Sequence, residues 1–191
     1  MVRWEPGARE RLAAAALRCY AEDGFEQTTV ARIAEEAGVT ERTFFRHFAD
    51  KREVLFQGQD LLQQRFLNGI ADAPAGSTPL AMVADALAAS AVFFEDERRA
   101  HSRSRQVVID ANPGLQEREL LKLAALRTAM AGALRERGVT EPTATLAAET
   151  GGTVFHVAFQ QWIGPGEQRG FRAIAEEVLA QLTAIAAPAA P

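Results

Sequence analysis

The chain has 191 residues, 48% of them hydrophobic and 24% charged, and carries a net charge of −4. That length allows a small head with a larger body or one medium domain, and the apolar content is enough for a packed core. The single cysteine, Cys19, excludes an internal disulfide and a cysteine-based metal cluster. The apolar runs are far shorter than a membrane span and no N-terminal signal pattern appears, so a cytoplasmic protein away from the membrane is expected.

In chain order, Val2-Arg3-Trp4 comes first, either a basic arm for a minor groove or a Trp staple packed against the head. Leu12, Ala15, Ala16, Cys19 and Tyr20 mark one face of a helix from about Ala8 to Glu22, with Pro6 near its start and Gly24 at its end. Cys19 reads as a small buried hydrophobe. Thr28 or Thr29 caps a second helix that buries Val30, Ile33, Ala34 and Ala37. Gly38 makes a tight turn, where glycine adopts a left-handed backbone without steric cost. Thr40 caps a third helix with Phe44 and Phe48 inward and Arg42, Phe45 and Arg46 outward. Two short helices about a tight turn make a helix-turn-helix, whose second helix is shaped for a DNA major groove. Asp50 is expected to cap a fourth helix through Val54, Leu55, Leu61, Leu62 and Phe66 to about Ile70.

Residues 72–79 hold two prolines and a glycine and read as a loop. Helices are then expected near 79–95, 97–111, 114–137, 141–163 and 167–186. The fold class is therefore all-α: a three-helix head over 1–52 and a larger helical bundle over 53–187, about nine helices in all, with 188–191 a frayed tail. Strand signals and internal repeats are missing.

Over residues 1–52 the basic and acidic side chains cancel. A nucleic-acid binder usually shows a basic domain, so the sign must be sorted by face. Arg42, Arg46, His47, Lys51 and Arg52 lie close together, interrupted only by Glu41 and Asp50. A local positive face and a moderate non-specific affinity follow. The guanidinium of Arg42 can bond O6 and N7 of a guanine together. Lys51, placed in the first turn of the fourth helix, would meet an anion there. Arg46 either contacts backbone or pairs with an acidic neighbour. Glu41 would repel phosphate, so it reads a cytosine amine or faces water, and water is favoured.

On 141–163, Ala148, Gly152, Phe155, Phe159 and Trp162 form one apolar stripe and Ala147, Val154 and Ala158 another, with Glu149, Thr153, His156 and Gln160 between. A helix apolar on most of its circumference is buried on most of it. One stripe is therefore expected to meet a second subunit through Gly151, Val154, Ala158 and Trp162, joined by Phe171, Val178 and Leu182 of the last helix in a four-helix interface; the competing reading is an ordinary intramolecular core. Phe66, Phe93, Phe94, Met130, Phe155, His156 and Phe159 are candidate walls of a small-molecule pocket, or plain core. His156 orients a ligand, lies at the seam, or is structural, the last favoured. The basic run from Arg98 to Arg105 attracts an acidic effector or, the favoured reading, is a solvated face.

Residues 8–55 resemble the DNA-binding head of the tetracycline-repressor (TetR) family of bacterial regulators. The likeness rests on Tyr20-Ala21-Glu22-Asp23-Gly24-Phe25, Thr28-Thr29-Val30, Ile33-Ala34, Ala37-Gly38-Val39, Thr43-Phe44-Phe45-Arg46-His47-Phe48 and Lys51. The variant Arg-Thr-Phe-Phe-Arg-His-Phe is similar to an actinobacterial subgroup. The resemblance implies a homodimeric repressor in the bacterial cytoplasm, at the nucleoid when bound to DNA. It implies a palindromic double-stranded operator and release when an unidentified small-molecule effector fills the body; no cofactor and no metal are implied. It places base reading on Glu41, Arg42 and Thr43, with Thr29 nearby and Thr40 at the start of the helix, and phosphate contact on Phe45, His47 and Lys51. The Phe45 position is usually tyrosine, and phenylalanine cannot donate to a phosphate; apolar contact with a thymine methyl or sugar replaces that bond. The fourth helix would carry the effector's signal, joining Lys51 to body residues such as Phe66.

Two other readings are weaker. An enzyme would need a site, but no nucleophile elbow, glycine phosphate loop or metal-spaced histidine set is present; His47, His101 and His156 are far apart. A protein-interaction module would leave Arg42, Thr43 and Lys51 without a task.

Overall fold

The computed structural model describes residues 7–186. Nine α-helices occur among them: α1 (Ala8–Asp23), α2 (Val30–Glu36), α3 (Glu41–His47), α4 (Gln59–Asp72), α5 (Pro79–Ser90), α6 (Asp96–Asp110), α7 (Pro113–Glu136), α8 (Thr143–Trp162) and α9 (Phe171–Ala186). Short 3-10 turns lie at Glu53–Phe56 and Ala91–Phe93. No described residue is in a strand, and no described helix is long and apolar enough to cross a membrane. The arm at Val2-Arg3-Trp4 and the tail beyond 186 lie outside the described residues.

Two compact units are present. The first holds the chain up to Gln59 together with Ser104–Glu119; the second holds Asp60–Arg103 and the chain from Leu120 onward. The first unit is thus larger than residues 1–52. Its core joins Leu12, Ala16 and Tyr20 of α1 to Ile33 of α2, Phe44 of α3, Val54 to Phe56, and Val108, Ile109 and Leu115.

Local chemistry ends the first helices where the sequence indicates. Gly38 has φ 66. Its N–H reaches Glu35 O at 3.0 Å, and the N–H of Val39 reaches Ala34 O at 2.9 Å. That paired closure is the Schellman motif, which a side chain at a positive φ would strain. Gly138 repeats it after α7, with Val139 N on Leu134 O at 3.0 Å.

The expected fourth helix is divided. Asp50 Oδ1 accepts from the backbone N–H of Arg52 at 2.8 Å and of Glu53 at 3.0 Å. It caps a turn and the 3-10 segment, not an α-helix. Gly58, at φ 81, then redirects the chain before α4 starts at Gln59. Val54, Leu55 and Phe56 are spent on the first unit's core, which three successive inward residues can do in a tight 3-10 turn.

In the second unit, Phe66, Val83, Leu87, Met130, Leu134, Phe155, Trp162 and Ile174 belong to one buried cluster. Gly69 of α4 allows close contact with α5: a Cβ there would stand 2.5 Å from Ala86 Cα.

Candidate nucleic-acid interface

Two threonines set the helix starts. Thr29 Oγ1 accepts from Arg32 N at 3.1 Å, and Thr40 Oγ1 accepts from Thr43 N at 3.2 Å. Each receives a first-turn amide, which has no carbonyl four residues back within the helix to bond. Thr28 does not cap: it is buried, and its hydroxyl donates to Gly24 O at 2.8 Å. With both cap hydroxyls committed, Thr29 and Thr40 position the two helices. Thr43 Oγ1 lies 3.1 Å from Thr40 Oγ1.

On α3, Phe44 is fully buried and Phe48 nearly so, with ring centres 5.6 Å apart. Those anchors turn Glu41, Arg42, Phe45 and Arg46 outward. Phe45 is 56% exposed and leans edge-on against Phe44, 5.5 Å between ring centres. An exposed ring on an otherwise polar face suits the apolar contact expected of it.

The neighbouring cations are spent within the chain. Arg18 and Arg32 both pair with Glu36, at 3.1 and 3.2 Å. Arg52 pairs with Asp50 at 3.3 Å. Arg42 and Arg46 are exposed, and neither has a hydrogen bond or ion pair among the described residues. The positive face is therefore narrower than the run Arg42 to Arg52 suggests.

Lys51 departs most from expectation. It precedes the 3-10 turn and is not in the first turn of α4. Its ammonium donates to the carbonyls of Phe25 at 2.8 Å, Glu26 at 3.0 Å and Thr28 at 3.0 Å. It also lies 4.5 Å from the centre of the Phe25 ring. An ammonium has three protons, and all three are taken. The Tyr20 hydroxyl donates to Lys51 O, fixing that segment further, and burial holds the Tyr20 phenol well above its ordinary pKa. His47 is half-buried, and its Nε2 is closed off from solvent without a partner.

In the second unit, the residues expected at a subunit interface are interior. Val154, Ala158 and Trp162 are fully buried, and Phe171 and Val178 nearly so, in the single chain. A Cβ on Gly151 would come 2.7 Å from Met130 Cε and 2.9 Å from Val83 Cγ1. Leu182 is half-buried against the same core. Both apolar stripes of α8 find cover within the chain, because α5, α7 and α9 all contribute to the cluster that receives them. That removes the burial argument for placing a second subunit on them.

The candidate pocket residues also pack on one another. Phe66, Phe155, Phe94 and Phe159 form ring contacts of 5.4 to 6.3 Å. Met130 is fully buried in the same cluster. Phe93 is half-buried and outside the ring contacts, and His156 faces outward from α8.

The basic run from Arg98 to Arg105 contains a helix cap that sequence reasoning missed. Arg99 donates to Trp162 O at 3.2 Å, Glu167 O at 2.6 Å and Arg169 O at 2.7 Å. Arg103 donates to Ile163 O at 2.7 Å and Gly164 O at 2.9 Å. These guanidiniums close the C-terminus of α8, where carbonyls and helix dipole favour cations. Arg105 bonds Leu55 O at 2.6 Å and pairs with Glu119 at 3.1 Å. Arg99 and Arg105 are half-buried and depart from the solvated face expected of the run, whereas Arg103 stays exposed while it bonds.

Comparison with known proteins agrees with the head's geometry. Residues 12–57 match the family model of bacterial regulatory proteins, tetR family. An HTH-type transcriptional regulator, TcmR of Streptomyces glaucescens, is 41% identical over 81 residues, 42% of this chain and 36% of that protein. The match thus spans only about a third of that relative's length. Among solved structures, SmeT, the repressor of the Stenotrophomonas maltophilia multidrug efflux pump SmeDEF, superposes with a TM-score of 0.62 at 21% identity, covering 93% of this chain and 89% of its own. FadR of Bacillus subtilis, in complex with stearoyl-CoA, gives 0.60 at 19% identity over 91% and 96%. At such identities the solved structures share the fold, and the matched proteins are transcription regulators, not enzymes. The head of the chain, residues 12–57, thus matches the tetR family of bacterial regulatory proteins.

Proposed function

We propose that this protein is a homodimeric transcriptional repressor of the bacterial cytoplasm. It grips a palindromic operator with two copies of α3 and releases it when a small molecule occupies the body. Residues 1–52 do the reading; 53–187 pair the subunits and take the effector. The observation that carries the reading is the outward pair Arg42 and Arg46 on α3, without partners among the described residues while nearby cations are engaged.

Arg42 reads a guanine edge, Thr43 and Phe45 meet neighbouring base or sugar surface, and Arg46 meets phosphate. Glu41 faces water. Lys51 acts by fixing the segment that leads into α2. Two heads on one duplex face require half-sites one helical turn or a multiple apart.

The subunits meet through the outward faces of α8 and α9. On α8, Leu146 is 63% and Val157 37% exposed, on one stripe three turns apart. On α9, exposed Ala173, Ala180 and Ala184 make a stripe of small side chains suited to close helix contact.

Effector release is supported by the company the fold keeps: a SmeT–triclosan complex matches with a TM-score of 0.65, and FadR carries stearoyl-CoA. Release requires an effector that binds the DNA-free arrangement better, and DNA must then weaken effector binding by the same factor.

A mobility-shift titration with DNA upstream of the protein's own gene tests this. Arg42→Ala should weaken specific binding by roughly 5- to 160-fold, the equivalent of about 1–3 kcal/mol, and relax preference at one base per half-site. Equal loss on random DNA would reduce Arg42 to a phosphate contact.

A further inference from the structure

The second unit contains an aromatic nest with one unmet polar group. Phe94 stands at its hub: ring centres lie 4.3 Å from Phe171, 5.5 Å from Trp162, 5.7 Å from Phe155 and 5.8 Å from Phe159. Trp162 is fully buried, and its indole Nε1 is enclosed with no hydrogen-bond acceptor. A buried indole N–H ordinarily finds a partner, and one left without it costs stability. The rings around it offer only π faces, which are weak acceptors.

The two sides of this nest differ in firmness. Trp162 is pinned: Arg99 donates to its carbonyl at 3.2 Å, and the guanidinium lies 5.2 Å from the ring centre. Phe94 is only half-buried. It follows the 3-10 turn Ala91–Phe93, has the non-helical pair φ −119 and ψ 46, and precedes α6 by two residues. Phe94 thus lies in a non-helical joint, outside the hydrogen-bond ladders of α5 and α6.

The geometry points to the chemical class of the effector: a planar aromatic molecule with a hydrogen-bond acceptor in its ring plane. It takes the place of the Phe94 ring, lies among Phe155, Phe159 and Phe171, and accepts from Trp162 Nε1. An aliphatic chain would fill the volume but leave the indole N–H unpaired. The Arg99 guanidinium beside the Trp162 ring is already committed to three carbonyls and to Asp96. This inference rests on the regulator reading above and specifies its ligand.

Quinoline and naphthalene make a matched pair of probes, equal in shape and differing by one ring nitrogen. In the full-length chain with Trp4→Phe, Trp162 supplies the only indole signal in a 15N-resolved spectrum. Quinoline should bind saturably and move that signal downfield. It should bind at least as tightly as naphthalene, although quinoline is the harder to remove from water. Phe94→Ala, which vacates the ring's place, should bind quinoline at least tenfold more tightly than the parent. Tighter binding of naphthalene, an indole signal that stays put under quinoline, or no gain from Phe94→Ala would each overturn the assignment. Should Phe94→Ala fail to fold, the parent's response to the two probes decides alone. A mobility shift run on the same untreated protein separates the layers. DNA binding without a quinoline response removes the aromatic assignment only, whereas no DNA binding removes the regulator reading.

Discussion

The Lys51 ammonium stands 2.8 Å from the carbonyl oxygen of Phe25 and 4.5 Å from the centre of that residue's ring. One cation thereby holds both the backbone and the side chain of the residue that folds back after α1. Its other two protons secure Glu26 O and Thr28 O, immediately before the Thr29 cap. The start of α2 is thus fixed from a residue more than twenty positions later.

Lys51→Met should lower head stability by about 1.5–3 kcal/mol, the range for hydrogen bonds to a charged donor. Calorimetry should show a lower unfolding temperature, and the salt dependence of DNA binding should keep its slope. A slope reduced by about one with unchanged stability would return Lys51 to the phosphate backbone.

Gly151→Ala pushes a methyl into Met130 and Val83 of the same chain. Overpacking of this kind costs about 1–3 kcal/mol. Denaturant unfolding should show that loss while sedimentation shows an unchanged subunit equilibrium. Dissociation into monomers without loss of stability would put Gly151 back at a subunit seam.

Leu146→Glu combined with Val157→Glu places charge on the outward face of α8. Sedimentation velocity should report monomers whose helical circular dichroism matches the parent. A dimer of unchanged affinity would move the interface elsewhere.

Glu167 is the clearest pH-sensitive group. Hydrogen bonds from the Arg169 guanidinium and backbone, at 2.6 and 2.9 Å, hold its carboxyl at about 2, below its ordinary 4.5. A depressed folded-state pKa gives stability that is complete above about pH 4.5 and declines as pH falls toward 2. Urea midpoints across that window should fall less steeply in Glu167→Gln than in the parent. Added salt should shrink the difference, since the pair is near solvent. Parallel curves would assign the acid sensitivity to other carboxylates.

How much of this was legible in the sequence depends on how far each interaction reaches along the chain. Thr40, Gly38 and Phe44 act within one turn of themselves, so spacing alone places them correctly. Periodicity likewise finds the inward residues of α8. It does not say what covers them, and the covering residues on α5, α7 and α9 lie up to some seventy positions away; the stripes of Val154 and Trp162 therefore read as a subunit face. The same limit applies to Arg99 and Arg103. Their run looks solvated, because the α8 carbonyls that receive them lie about sixty residues downstream. Lys51 resembles a phosphate contact for the same reason. Asp50 is recognisable as a cap, but whether a cap starts an α-helix or a 3-10 turn is decided by Val54, Leu55 and Phe56, all drawn into one core.

The most direct test of the central claim is hydroxyl-radical footprinting of the full-length protein on DNA upstream of its own gene. Two protected patches should appear on one face of the duplex, about one helical turn or a multiple apart, and Arg42→Ala should abolish both at the concentration that saturates the parent. A single patch, no patch, or a pair that survives Arg42→Ala unchanged would contradict the account.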